Sequence, residues 1–133
     1  MQGDCDFITD DMVVSAIALA GGGARATAGS CGAFSGGLMA LSAKFSPRSA
    51  ELSKEELEEL EKAKVKFYAF RDWFVSEFGS VTCFEMLRKL FGGSYNLASE
   101  ESRKELKKVQ DAMGFNCQVV TAKTVVKVAE MIL

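Results

Sequence analysis

The sequence predicts an all-α fold, a compact helical bundle of about five to six helices. Three observations lead there. A single proline, Pro47, interrupts the 133 residues, so long helices are free to run. Capping residues precede apolar, helix-periodic stretches, and glycines follow them. Finally, no pair of alternating segments closes a hairpin: "VVTAKTVVKV" is β-branched, yet it continues through Ala129 and Met131 with no turn.

Taken in order, Thr9 is placed to cap a first helix through "DDMVVSAIALA", stopped by Gly21, Gly22 and Gly23, which suit a left-handed terminus. Ser30 is placed to cap a second, "CGAFSGGLMALSAKF", which ends near "SPRS". Ser53 with Glu56 forms a capping box that opens a long third helix to about Phe78, with Gly79 beyond. Leu57, Leu60, Ala63, Phe67, Phe70, Phe74 and Phe78 recur there at intervals of three and four, a single apolar stripe that reads as core. Ser80 is placed to cap a fourth helix, "VTCFEMLRKLF", stopped by Gly92 and Gly93, and "SYNL" is a loop. Ser99 starts a polar fifth helix ended by Gly114, and Asn116 caps the last, "CQVVTAKTVVKVAEMI". With no repeat, linker or low-complexity tract, residues 1–133 read as one domain.

Composition excludes several classes of function. The net charge of −2 gives no electrostatic footprint for nucleic acid or an anionic membrane. Lysines interleave with glutamates in "SKEELEELEKAK", the pattern of a solvated helix face. Histidine is absent altogether, which removes the commonest general base, the mixed Cys/His zinc finger and the c-type haem motif. No haem is expected. "MVVSAIALA" imitates a signal peptide, but "MQGDCDFITDD" before it holds four aspartates and no Lys or Arg, where a signal is basic. That apolar run is also far short of the roughly 20 residues of a membrane span. The expected location is cytoplasmic, without membrane insertion. In a reducing compartment four cysteines point to metal binding or redox work rather than structural disulfides.

The cysteines follow a pattern. Cys31 follows Ser30, Cys117 follows Asn116, and Cys83 lies three residues after Ser80, while Cys5 precedes the first helix. Three of the four therefore fall at helix starts, where free N–H groups and the helix dipole favour anions and lower a thiol pKa. Around Cys31 the chain reads "AGSCGAFSGG". A glycine inside a helix costs about 1 kcal/mol, so Gly32, Ala33, Gly36, Gly37 and Ala40, with Gly21, Gly22 and Gly23 upstream, suggest close approach of a helix or a cofactor to the Cys31 backbone. Spacing alone leaves another reading open, in which the thiols are small buried hydrophobes, because no CxxC pair announces a metal site.

At these residues the chain resembles the C-GCAxxG-C-C family of redox-active proteins, over roughly residues 16–133. Its second-cysteine motif appears here as "CGAFSGG", after "GGGA" and before "LMALSAKF"; "FGSVTCFEML" matches the third-cysteine segment and "NCQVVTAKTVVKVAEMI" the fourth. The resemblance implies redox activity and, through similar domains in multihaem electron-transfer proteins, a [2Fe-2S] cluster. On that mapping Cys31, Cys83 and Cys117 are the second, third and fourth family cysteines. Cys5 is the first, although only four residues precede it and its distance to the glycine run is short.

Three functions follow as expectations. The first is an electron-transfer protein with an iron–sulfur cluster on Cys5, Cys31, Cys83 and Cys117. The second is a thiol–disulfide oxidoreductase, with Cys31 as the attacking thiolate and Cys83 or Cys117 resolving it. The third is a structural zinc site on the four thiolates. The redox partner protein is not readable, and the small-residue face around Gly36 and Ala40 is the candidate surface for a homodimer.

Overall fold

The structure, a computed structural model, describes residues 6–133. Cys5, the expected first ligand, lies outside the described residues. Among the described residues six α-helices follow one another: α1 (Asp10–Ala16), α2 (Gly32–Phe45), α3 (Lys54–Phe78), α4 (Cys83–Phe91), α5 (Glu100–Met113) and α6 (Cys117–Ile132). The all-α expectation is met.

Local capping builds most of these boundaries. Ser53 Oγ accepts the Glu56 N–H at 3.2 Å while Glu56 Oε1 accepts the Ser53 N–H at 3.2 Å, so both donors of the capping box are satisfied. Ser99 accepts from Ser102 N and Asn116 from Val119 N. Gly79, Gly92 and Gly114 close α3, α4 and α5 in the left-handed region, where only glycine escapes the Cβ penalty.

Three expected boundaries move. The first helix stops at Ala16 instead of Ala20 and tightens into a 3₁₀ turn, Ile17–Leu19. It must leave the right-handed spiral early, because every φ from Gly21 to Arg25 is positive. Ser30 does not cap α2: Cys31 itself is the N-cap, without a side-chain bond, and Ser30 pairs with Thr82 in an isolated antiparallel bridge. Ser80 does not cap α4 either. Thr82 holds that position, and Ser80 Oγ accepts the Thr82 N–H at 3.2 Å.

α2 packs against both α3 and α6, α3 and α6 also touch, and α4 joins α3 to α5. The main core gathers Phe34, Leu41, Phe70, Phe74, Phe78, Met86, Val120 and Val128. Phe34 stacks on Phe70 with centroids 5.6 Å apart and planes 5° apart, while Phe74 meets Phe78 edge-on at 4.8 Å; such pairs add about 0.5–1.5 kcal/mol beyond burial. The apolar stripe of α3 is buried at intervals from Ala63 to its C-terminal end: Ala63, Phe70, Phe74 and Phe78 are inside, whereas Leu57 in the first turn is half exposed. Gly37 explains the glycine preference of α2: a Cβ there would stand 2.6 Å from Phe70 Cζ, so the missing side chain lets α2 and α3 close. Gly36, by contrast, opens onto free space. A second cluster, Cys83, Leu87, Phe91 and Leu106, binds α4 to α5. Among the described residues no helix is long and apolar enough to cross a membrane.

Candidate functional site

The glycine run is a left-handed turn. Gly21, Gly22, Gly23, Ala24 and Arg25 take φ of 67°, 79°, 83°, 49° and 60°, and Thr27 follows at 66°. For L residues this conformation costs on the order of 1–2 kcal/mol each, so Ala24, Arg25 and Thr27 are held there by other bonds. Thr27 N donates to Gly21 O at 2.9 Å and Gly29 N to Gly22 O at 3.1 Å. The buried Thr27 hydroxyl accepts the Leu97 N–H at 2.8 Å, fastening the turn to the loop before α5.

That turn delivers the next residues to the start of α4. Cys31 N donates to Val81 O at 2.7 Å, Cys83 N to Gly29 O at 2.9 Å, and Phe84 N to Thr27 O at 2.8 Å. Cys31 and Cys83 thus flank the Ser30–Thr82 pair on opposite strands of the bridge. Residues so placed share one face, with Cβ atoms diagonally related at roughly 7–8 Å or less. Cys117 arrives from the start of α6, set by the Asn116 cap.

The three thiols differ in access: Cys83 is buried, Cys31 half-buried and Cys117 exposed, and all three are free. They are close enough to share an electrostatic field. Burial first, then the charges of Cys31 and Cys117, push the Cys83 thiol up from 9.0 to about 11. The Cys117 thiol is also raised, by desolvation first and then by Cys31, against a Gln110 hydrogen bond that lowers it. Gln110 Nε2 donates to Cys117 Sγ at 3.5 Å. The Cys31 charge thus acts on both other sulfurs.

These directions reverse the expectation from helix position, which was that first-turn thiols ionise more easily. The reason is in the hydrogen bonds. The Cys83 and Phe84 N–H groups of α4 are already taken by Gly29 O and Thr27 O, so those donors cannot serve a thiolate, and desolvation wins.

A pH prediction follows. A folded-state pKa raised above the ordinary 9.0 means that Cys83 contributes stability present in full below that value and lost as pH rises through about 11. Denaturant titrations should show the gap between the wild type and Cys83→Ala narrowing by about 1–2 kcal/mol over that window. A gap that stays constant with pH would contradict the burial of this sulfur.

The other expected site residues divide. Gly21, Gly22 and Gly23 form the left-handed turn. Gly32 and Ala33 follow Cys31 and line an apolar cavity of about 300 Å³ with Gly36, Gly37, Ala40, Thr124 and Val128. Among the described residues no group of three or more Cys, Asp or Glu side chains stands as a metal-holding set. Thr27, Gly29 and Gln110 are site residues that sequence reasoning missed. Only the small-residue context of Gly29 carried a signal for it.

An all-α scaffold with free thiols at three helix starts, two of them set across one bridge, has the make-up of a cysteine redox protein. The chain belongs to the family described as "Putative redox-active protein (C_GCAxxG_C_C)", whose model matches residues 3–131. The match therefore begins ahead of Cys5 and exceeds the 16–133 span read from the motifs at its N-terminal end. No curated protein and no solved structure matches the chain.

Proposed function

We propose that this protein cycles between dithiol and disulfide, with Cys31 as the central sulfur and Cys83 or Cys117 as its partner. The observation that carries the reading is the Ser30–Thr82 bridge, which sets the free thiols Cys31 and Cys83 diagonally across from one another in a chain of a redox-active family. Oxidation joins Cys31 to a neighbour, with loss of two protons and two electrons to an acceptor disulfide. The raised pKa values make Cys83 and Cys117 resting thiols at neutral pH, so exchange is controlled by which sulfur is reached and deprotonated first. The backbone bonds that Cys83 N and Cys31 N donate to Gly29 O and Val81 O hold the two cysteines in register while this happens.

A second reading is a [2Fe-2S] cluster, which would supply one-electron transfer, held by Cys31, Cys83, Cys117 and Cys5. The family match spanning Cys5 favours it, because it puts all four cysteines inside the matched region. One preparation separates the readings. Anaerobically purified protein is assayed for iron and zinc, its visible spectrum recorded, and its thiols counted before and after a small disulfide oxidant. The dithiol reading expects a colourless, metal-free protein that loses two thiols reversibly, with the bond mapped to Cys31. Stoichiometric iron with charge-transfer absorption establishes the cluster instead. Stoichiometric zinc, with unfolding on chelation, establishes a structural site.

A further inference from the structure

We infer that the outward face of α3 docks antiparallel on the same helix of a second copy of this chain. The described thiols stand at the starts of α2, α4 and α6, so this surface serves the protein whichever redox chemistry those sulfurs perform. It is a different surface from the small-residue face around Gly36 and Ala40, which lines a cavity with Ile8 and Val13.

α3 has two apolar faces. One carries Ala63, Phe70, Phe74 and Phe78 into the core. The other carries Leu57, Val65, Tyr68 and Val75, each between 41% and 66% exposed. At about 100° per residue, Leu57, Tyr68 and Val75 fall within about 20° of one another, and Val65 stands about 60–80° to one side. Single exposed apolar residues are ordinary on a protein surface. A second stripe along a helix of 25 residues is the pattern of a helix that packs on both sides.

Charge decides what the partner is. Residues 54–61 hold five glutamates and one lysine, whereas residues 62–71 hold four cations and no carboxylate. Two parallel copies would set like charge against like. Two antiparallel copies set the acidic half of each against the basic half of the other, and twofold symmetry makes that match twice. The register follows from the stripe. Leu57, Glu61, Lys64 and Tyr68 succeed one another at intervals of four, three and four, the spacing of a helix–helix seam. With the axis passing between Lys62 and Ala63, Leu57 of each copy meets Tyr68 of the other, and Glu61 meets Lys64. Glu61 and Lys64 already pair at 2.6 Å within one copy. In the dimer the two pairs form a set of four alternating charges between two apolar layers.

The test is sedimentation equilibrium of the full chain in reductant, which removes any disulfide between copies. The wild type should approach twice the chain mass, reversibly, as concentration rises through the micromolar range, and added salt should weaken the association. Tyr68→Glu should weaken it about tenfold or more. Two charge-reversed chains give the sharpest reading: one with Glu58→Lys and Glu61→Lys, the other with Lys62→Glu and Lys64→Glu. Each alone should be monomeric where the wild type is dimeric, and an equimolar mixture should form a one-to-one heterodimer. All these positions are exposed or partly exposed, so circular dichroism should report the wild-type helix content in every variant. A wild type that stays monomeric throughout overturns the inference. So does a dimer that survives both reversals, or a mixture that does not associate.

Discussion

Phe74→Ala should lower the unfolding free energy by about 3–5 kcal/mol, the largest loss expected from one truncation in this chain. Phe74 has no exposed surface and touches four other rings: Phe34, Phe70, Trp73 and Phe78. Removing it takes away transfer energy and leaves a hole that helices pinned on all sides cannot close. α2 is held at Gly37 against Phe70, and α3 is held by its neighbours α2 and α6. Urea titration followed by circular dichroism reads the effect. A shift below about 1 kcal/mol would mean that these rings do not form one continuous core.

Gly22→Ala should cost about 2–5 kcal/mol and also slow formation of the internal disulfide. Gly22 sits at φ 79°, and a Cβ there would lie 2.9 Å from both Cα and C of Thr27. The conformational penalty is on the order of 1–2 kcal/mol, and overpacking adds about 1–3. Thr27 cannot step aside cheaply. Its hydroxyl accepts from Leu97 N, its carbonyl from Phe84 N, and its N–H donates to Gly21 O. Displacing it loosens the bond from Cys83 N to Gly29 O two residues on, so the sulfurs lose their register. Thermal melts and the rate of thiol loss under a fixed oxidant together check this. Destabilisation with an unaltered oxidation rate would show that the turn supports the fold without positioning Cys31.

The sequence reveals what is decided locally. Ser53, Ser99 and Asn116 cap their helices as their spacing implies, since each bond reaches only three residues along the chain. Asp10, Asp11, Glu100 and Glu101 occupy first turns, where the dipole favours them. That Cys31, Cys83 and Cys117 stand at the starts of α2, α4 and α6 was legible from the sequence. Ser30 and Ser80 misled because their neighbours answer to partners about 50 positions away, across the bridge from Gly29 to Cys83 and from Val81 to Cys31. Thr27 was hidden for a related reason. A β-branched residue at positive φ contradicts its own preference and is intelligible only once its hydroxyl is seen bound to Leu97 N. The direction of the Cys83 pKa was likewise hidden, since the carbonyls that take the first N–H groups of α4 are distant in the chain.

Cys83 is both a thiol of the site and a wall of the hydrophobic packing between α4 and α5, beside Leu87, Phe91 and Leu106. Thermodynamic closure then ties two quantities together. Any disulfide that pulls this sulfur out of its seat makes the oxidised protein less stable by the packing energy lost, and raises the midpoint potential of the couple by about 30 mV for each 1.4 kcal/mol. On the dithiol reading, the grip of one helical hairpin thereby sets how readily the protein gives up electrons.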